Sequence, residues 1–139
     1  MCEFLDTSVQ KSLQLDQIGQ ILHSTILNID GQHEDLTLIA VKALNSIITQ
    51  TEPILQNKEQ RDFIMNGICK AVTMENDDIS EKGLECLNEF PIVAYPTLEE
   101  YIQTIGSITM NFLQSQNYQQ IKGILQFWTE LAKEEQKRQ

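Results

Sequence analysis

The sequence has few basic residues, and this shortage limits the class of partner. Ten Lys and Arg stand against 20 Asp and Glu, which gives a formal net charge of −10. Binding to a phosphate backbone or an anionic membrane surface requires a basic footprint, so we expect neither nucleic acid nor membrane as a partner. The acidity favours a basic or uncharged partner, or it serves solubility alone.

Cysteines are also few and do not form a disulfide pattern. The three are Cys2, Cys69 and Cys86, an odd number without paired spacing, so a disulfide framework is not expected. Cys69 and Cys86 fall on apolar faces of predicted helices, where a free cysteine behaves as a small hydrophobe. The pattern fits a reducing compartment. The N-terminal MCEFLDTSVQ does not resemble a signal peptide, and no apolar run is long enough to span a bilayer.

Patterns typical of catalytic or metal sites are missing from the sequence. His23 and His33 are far apart and lack companion ligands for zinc. Cys69 has no His or basic cluster near it in sequence, so a core role is favoured over a catalytic thiol. Paired carboxylates such as Glu99 and Glu100 are interpreted as solvated faces, and no glycine-rich loop could cradle a phosphate. We therefore predict no catalytic residue, no metal and no cofactor, and a protein that is not an enzyme.

Strand signals are weak, and helical periodicity is present along most of the chain. With six Gly and three Pro, the sequence has few breakers, and it lacks period-two alternation. Apolar residues at helical spacing predict an all-α fold of six helices. The first, second, third and fifth span about 15–29, 34–51, 58–74 and 98–113, the fourth carries its apolar residues over 79–90, and the sixth over 121–131.

Several residues are predicted to mark the ends of these helices. Pro53 ends the second helix, and Asp78 or Ser80 is the candidate N-cap of the fourth. Pro91 and Pro96 bracket a break near the end of the fourth helix. The polar tail KEEQKRQ is predicted to fray.

The six helices form a repeat of helix pairs. The odd helices begin about 40 residues apart, as do the even ones. Within the even helices AVKALN, GLECLN and GILQFW correspond, each with a small residue followed four positions later by a large apolar one. This pattern predicts an α-solenoid of about three HEAT repeats, each an antiparallel helix pair, spanning 14–53, 57–95 and 97–134 in a single segment 1–139. An unrelated six-helix bundle with coincidental spacing is the alternative. Residues 1–13 are predicted to be the end of a preceding helix and its loop, which suggests a piece of a longer array.

Four segments carry a resemblance to a known family. These are QILHSTI at 20–26, AVKALNS at 40–46, QRDFIMNGICKAV at 60–72, and ILQFW at 124–128 with Glu134 and Glu135 following. In this order and spacing they resemble the importin-β (karyopherin-β1) nuclear transport receptors, in the N-terminal third of their HEAT array. The resemblance spans nearly the whole chain. His23 and Thr109 depart from the family pattern, and the loop at 30–35 is shorter.

The resemblance implies binding of FG-repeat nucleoporins in shallow grooves between the first helices of neighbouring repeats. The walls of one groove would be formed by Leu22, His23, Ile26, Gln60, Phe63 and Ile64. A second groove between the third and fifth helices would be formed by Tyr101, Ile105, Ile108 and Thr109. The implied function is nuclear protein import, with a location in the cytoplasm, the nucleus and the nuclear pore.

The other partners implied by the family bind largely elsewhere. In the full-length receptors Ran-GTP contacts the inner helices of the first repeats and an acidic loop, and importin-α binds farther along. This chain lacks most of both sites, so we expect neither to bind it strongly. A slice of solenoid exposes an apolar face at each end, and self-association through these faces is expected.

The residues alone leave alternatives open at the proposed grooves. Phe63 lies at the edge of the apolar stripe of the third helix, where it lines a pocket or simply packs between adjacent helices. Tyr101 is either a half-exposed rim residue or an ordinary surface tyrosine. Trp128 is interpreted as core of the last repeat rather than as a stacking platform. The alternative function is a structural HEAT scaffold whose partners bind elsewhere.

Overall fold

The computed structural model describes residues 7–29, 32–48 and 53–138, with side chains from residue 17 onward. These parts of the chain contain six α-helices and no strand. The helices are α1 (Thr7–Leu27), α2 (Glu34–Ile47), α3 (Lys58–Val72), α4 (Asp77–Val93), α5 (Ile102–Ser115) and α6 (Tyr118–Lys137). Short 3-10 segments precede α3 at Ile54–Gln56 and α5 at Tyr95–Tyr101. Helix α2 ends at Ile47. Residues 49–52, over which the second helix was predicted to continue toward Pro53, lie outside the described residues, as does Cys2.

The helices form a solenoid of three antiparallel pairs, which confirms the predicted fold class. Each odd helix packs against the even helix that follows it. The even helices α2, α4 and α6 form one closely packed layer, and α1, α3 and α5 form a second layer with looser lateral contacts. The core lies between the two layers. Looser packing in the odd layer leaves room for grooves between its helices.

Asparagine caps set the starts of three helices. The Oδ1 atoms of Asn57, Asn76 and Asn117 accept backbone N–H groups in the first turns of α3, α4 and α6. Each bond satisfies a donor that the helix leaves free. The prediction of Asp78 or Ser80 as the cap of α4 is therefore wrong. Ser80 is buried instead, and its hydroxyl donates to the carbonyl of Val72 at 2.6 Å.

The cap residues also connect neighbouring repeats. Asn76 Nδ2 donates to a Glu34 carboxylate oxygen at 3.0 Å, and Asn117 Nδ2 donates to Asp77 at 3.2 Å. The two partners in these bonds are 42 and 40 residues apart in sequence. Equivalent positions of successive repeats are thus bonded side by side, in agreement with the predicted period.

Small residues on the even helices allow the close approach that the repeat pattern predicted. A Cβ atom added to Gly83 would lie 2.9 Å from the backbone nitrogen of Val72. One added to Gly123 would lie 2.6 Å from Leu84 Cδ1. These distances are too short for a side chain, so each glycine is required by the packing of a neighbouring helix.

The start of α1 differs from the prediction, and the break near the end of α4 agrees with it. Residues 7–13, predicted to be the end of a preceding helix and its loop, belong to α1, Thr7–Leu27, and residues 1–6 of that prediction lie outside the described residues. The break predicted between Pro91 and Pro96 is present, because α4 ends at Val93 and Ala94 separates it from the 3-10 segment that starts at Tyr95. Because Pro91 lies in the last turn, few helical residues follow the hydrogen bond that its missing N–H removes.

The polar tail is helical through Lys137. The Arg138 guanidinium lies 4.4 Å from the centroid of the Tyr95 ring, and the Tyr95 hydroxyl donates to Glu135. Glu134 is buried and forms an ion pair with Lys137 at 3.3 Å. The two contacts of Tyr95 attach the end of α6 to the segment before α5, which the polar composition did not indicate.

Large apolar side chains are exposed at both ends of the stack. Ile21 and Ile39 on the first pair are 51% and 62% exposed, and Met110 and Leu113 on the third pair are 57% and 45% exposed. Self-association through these faces stays a prediction. In the part of the chain that the structure describes, no helix is long and apolar enough to cross a membrane.

Candidate functional site

Helices α1 and α3 lie side by side, and one of their contacts is made by Ile26 and Gly67. A Cβ atom added to Gly67 of α3 would lie 2.7 Å from Cγ2 of Ile26 on α1, so Ile26 packs directly on the glycine backbone. Ile26 is buried there. It closes one end of the interhelical space, and it is absent from the lining of the cavity beside it.

A cavity of about 260 Å³ opens between the two helices, toward the start of α3. Its lining includes five of the six residues predicted for the first groove: Leu22, His23, Gln60, Phe63 and Ile64. We call this cavity the apolar groove. The structure thus brings together, at one place, the residues that the resemblance selected on two helices.

Phe63 forms one wall of the apolar groove by stacking on His23. The two ring centroids are 4.8 Å apart and the rings are inclined by 15°. Phe63 is half-buried and His23 is exposed. Both interpretations of Phe63 therefore hold in part, because the ring packs against the neighbouring helix and also lines the cavity.

The apolar groove has a hydrophobic floor and a polar rim. Leu22, Ile54 and Ile64 contribute the floor and are themselves almost fully buried. Gln60 and Glu59 are exposed at the rim. Such a surface can accept an apolar or aromatic side chain and offer the Gln60 amide to a neighbouring polar group.

Sequence reasoning missed three lining residues: Gly19, Ile54 and Glu59. Ile54 reaches the groove from the 3-10 segment before α3, a connection that periodicity does not describe. A Cβ atom added to Gly19 would meet nothing within 4 Å. The available signal was the glycine itself, which lies one turn before His23 in the predicted first helix and leaves the helix surface there without a side chain.

The second predicted groove is not formed by the residues assigned to it. Tyr101, Ile105, Ile108 and Thr109 are 8%, 0%, 7% and 9% exposed. They form the inward stripe of α5 and its preceding segment, and the Tyr101 hydroxyl is hydrogen-bonded to Arg61 and Asp62 of α3. The prediction that Tyr101 is a half-exposed rim residue is therefore corrected.

A polar network fills the position between α3 and the segment before α5. Arg61 is buried; its Nη2 lies 2.6 Å from Glu100, its Nε donates to the Tyr101 hydroxyl at 3.2 Å, and its Nη1 donates to the Leu55 carbonyl at 2.9 Å. The Tyr101 hydroxyl also donates to Asp62. This bridge joins two neighbouring repeats at the level where the apolar groove is open between α1 and α3.

The network changes the acidity of its members. Burial, followed by the hydrogen bond to Asp62, raises the pKa of Tyr101 to about 12. The same hydrogen bond, followed by that from Lys58, lowers the pKa of Asp62 below its usual value. Tyr101 is therefore a neutral donor and Asp62 an ionised acceptor across the neutral range, an arrangement suited to holding the repeats together.

Of the remaining candidate residues, Cys86 is in the core, and Cys69 and Trp128 are partly buried against it. Burial raises the pKa of the Cys69 thiol to about 11 and that of Cys86 to about 12, so neither is a reactive thiolate near neutral pH. Trp128 is half-buried, packs edge-on against Phe127, and donates through Nε1 to Thr109 Oγ1 at 2.9 Å. Among the described residues, no group of three or more His, Cys, Asp and Glu side chains is placed to hold a metal ion.

Comparisons with known proteins give one distant similarity. The chain is 24% identical over 137 residues to importin subunit beta-1 of Arabidopsis thaliana. The match covers 97% of this chain, which spans only 15% of the length of that protein. No protein-family model matches the sequence, and no solved structure matches it. The chain is thus similar, over nearly its full length, to a short part of an importin subunit.

Proposed function

We propose that this chain is a HEAT-repeat segment of a nuclear transport receptor of the importin-β type, and that its apolar groove binds phenylalanine side chains of FG-repeat nucleoporins. The observation that carries the proposal is the convergence of Leu22, His23, Gln60, Phe63 and Ile64 on one cavity. The similarity to importin subunit beta-1 supports the receptor class. Such a segment would work in the cytoplasm, the nucleus and the nuclear pore.

The size of the apolar groove suits one aromatic ring. Its volume is about 260 Å³, and an apolar cavity of about 150 Å³ already accommodates benzene. Full burial of a phenylalanine side chain contributes about 1.5–3 kcal/mol. The ordering of a disordered peptide offsets part of this gain.

Binding at a single groove should therefore be weak and rapidly reversible. A dissociation constant of about 1 mM corresponds to about −4 kcal/mol, the range that one buried ring and a few polar contacts can reach. Several such contacts along one receptor give avidity while each exchanges quickly. The sites for Ran-GTP and importin-α would lie mostly in parts of a full-length receptor beyond this segment.

An NMR titration tests the proposal. A short peptide with the sequence FSFG is added to labelled protein, with an SSSG peptide as the control. We expect fast-exchange shifts around Leu22, Phe63 and Gln60 with the first peptide only. Ile64 is unsuitable for a charge-inserting variant because it is only 2% exposed, and a buried carboxylate there would unfold the protein.

Phe63→Ala is the more useful variant, and Tyr118→Ala is its matched control. Tyr118 is 71% exposed on α6 and does not line the groove. Loss of an aromatic contact of about 1 kcal/mol should weaken FSFG binding about fivefold in Phe63→Ala. Equal affinity of the two folded variants would contradict binding in the apolar groove.

A structural scaffold is the second candidate function. The Arg61 network favours it, because its hydrogen bonds occupy the space between α3 and the 3-10 segment before α5 and hold two repeats together. Its members are Arg61, Asp62, Glu100 and Tyr101. The scaffold function predicts that no FSFG peptide perturbs the protein at millimolar concentration.

A further inference from the structure

A second cavity adjoins the apolar groove on its polar side. It has a volume of about 770 Å³ and is lined by Gly19, Gln20, His23, Ser24, Pro53, Ile54 and Gln60. We call it the polar trough. Gly19, His23, Ile54 and Gln60 line both cavities. The two cavities therefore meet along a shared boundary.

Gly19 keeps this boundary open. It lines both cavities, and a Cβ atom built on it would meet no atom within 4 Å. A larger side chain at this position would project into the space that the two cavities share. A peptide backbone can therefore pass close to the surface of α1 at Gly19 without meeting a side chain.

The chemistry of the polar trough suits an uncharged ligand. None of its lining residues is Asp, Glu, Lys or Arg, although the chain as a whole carries a formal charge of −10. Gln20, Ser24 and Gln60 are exposed. Within the described part of the chain, their side-chain amide and hydroxyl groups have no hydrogen-bond partner. They can donate to and accept from main-chain amides and small polar side chains.

We propose that the apolar groove and the polar trough form one site for an extended, uncharged peptide segment. An aromatic side chain fills the apolar groove, the adjacent main chain crosses Gly19, and the neighbouring residues hydrogen-bond to Gln20, Ser24 and Gln60 in the trough. This inference rests on the proposed function of the groove. It adds a preference for small, uncharged residues beside the aromatic residue, with Gly19, Gln20 and Ser24 as the residues that set it.

The dimensions agree with a short flanking segment. The distance from Gly19 to Ser24 along α1 is about 7.5 Å at 1.5 Å per residue. This length corresponds to about two residues of extended peptide at 3.3 Å each. The trough therefore has room to contact the two residues next to the aromatic one.

Three probes separate the groove from the trough. N-acetyl-phenylalaninamide occupies the apolar groove alone, acetyl-Gly-Ser-Phe-Ser-Gly-amide reaches both cavities, and acetyl-Gly-Asp-Phe-Asp-Gly-amide places charge in the trough. Dissociation constants are measured by NMR titration. We expect the serine peptide to bind about three to tenfold more tightly than N-acetyl-phenylalaninamide, since one or two net hydrogen bonds are gained. The aspartate peptide should bind more weakly than the serine peptide.

Two sets of variants show which residues cause the difference in affinity between the serine peptide and N-acetyl-phenylalaninamide. Gln20→Ala combined with Ser24→Ala changes residues that line only the trough. It should weaken the serine peptide about threefold and leave N-acetyl-phenylalaninamide unchanged. Gly19→Leu should weaken the serine peptide about tenfold or more. Its control is Gly106→Leu, at a second helical glycine that is open in the same way and belongs to α5; it should leave binding unchanged.

The outcomes distinguish this inference from the proposed function. If neither N-acetyl-phenylalaninamide nor the serine peptide binds, both are wrong. If the two bind equally, and the Gln20→Ala/Ser24→Ala variant changes neither, the trough is not part of the site and the proposed function of the groove stands. The inference is supported if the serine peptide binds the native protein more tightly than N-acetyl-phenylalaninamide does, and if the two bind the Gln20→Ala/Ser24→Ala variant about equally.

Discussion

Gly67→Ala and Gly106→Ala should have opposite effects on the free energy of unfolding, because only Gly67 is in contact with a neighbouring helix of the odd layer. Gly67 lies against Ile26, whose Cγ2 would be 2.7 Å from an added Cβ. Gly106 has no atom within 4 Å of the same position. Both lie in the interior of a helix. Gly106→Ala is therefore the matched control for Gly67→Ala.

The magnitudes follow from helix propensity and from packing. Alanine stabilises a helix interior by about 0.8–1 kcal/mol relative to glycine, so Gly106→Ala should raise the free energy of unfolding by about that amount. Gly67→Ala gains the same helix propensity, but its added Cβ would be too close to Ile26. Isoleucine in a helix has essentially one χ1 rotamer and cannot turn aside, and overpacking costs about 1–3 kcal/mol. We expect Gly67→Ala to lower the free energy of unfolding by about 1 kcal/mol.

Urea unfolding followed by circular dichroism measures both effects. A slope of about 1–3 kcal/mol per molar urea makes a difference of about 2 kcal/mol between the variants clearly visible in the midpoints. In the Ile26→Ala background the penalty of Gly67→Ala should disappear, as a double-mutant cycle would show. Equal stabilisation by the two alanines would refute the Ile26 contact that closes the apolar groove.

Three further predictions concern acidity, thiol protection and association. Because burial and Asp62 raise the pKa of Tyr101 from 10.0 to about 12, stability present below about pH 10 should be lost as the pH rises toward 12. Thermal denaturation should show this loss in the native protein, and Tyr101→Phe should show a smaller one, because the buried thiols of Cys69 and Cys86 also have raised pKa values and still contribute over that range. Cys86, with its pKa raised to about 12 by burial, should resist iodoacetamide in the folded protein and react after unfolding in urea; rapid labelling of the native state would contradict its burial. Sedimentation velocity should show concentration-dependent self-association that Ile39→Glu weakens, since Ile39 is 62% exposed at one end of the stack; a monomer at all concentrations would refute association through that face.

The fold was predictable because the repeat appears in the sizes of the residues as well as in their hydrophobic pattern. Gly83 and Gly123 recur at equivalent places and are required there by contacts with neighbouring helices. Helix ends were less predictable. The tail after Glu134 is polar, and the contact of Arg138 with Tyr95 that holds it exists only in the folded chain.

The candidate site was predictable on one side of α3 and not on the other. Leu22, His23, Gln60, Phe63 and Ile64 meet at the apolar groove, and nucleoporin binding there stays a prediction. On α5 the expected groove residues are the inward stripe. Tyr101 is hydrogen-bonded to Arg61, 40 residues earlier, and an arginine in the core is not what hydrophobic periodicity indicates. The side of the 3-10 segment before α5 that meets α3 therefore could not be assigned from the sequence.

The role of Gly19 shows why cavities are difficult to predict. A pattern search finds side chains that are present, whereas the groove and trough are joined by the absence of one. Ile54 was missed for a related reason, since it enters the site from a 3-10 segment of three residues that has no helical period to follow.

Isotope-filtered NOE spectroscopy tests the central claim most directly. Protein with labelled methyl groups is mixed with unlabelled FSFG peptide, and NOEs from the phenylalanine ring protons are recorded. Binding in the apolar groove predicts NOEs to the methyl groups of Leu22, Ile54 and Ile64, which form its floor. Ring NOEs confined to other parts of the surface, or none at millimolar peptide, would contradict it.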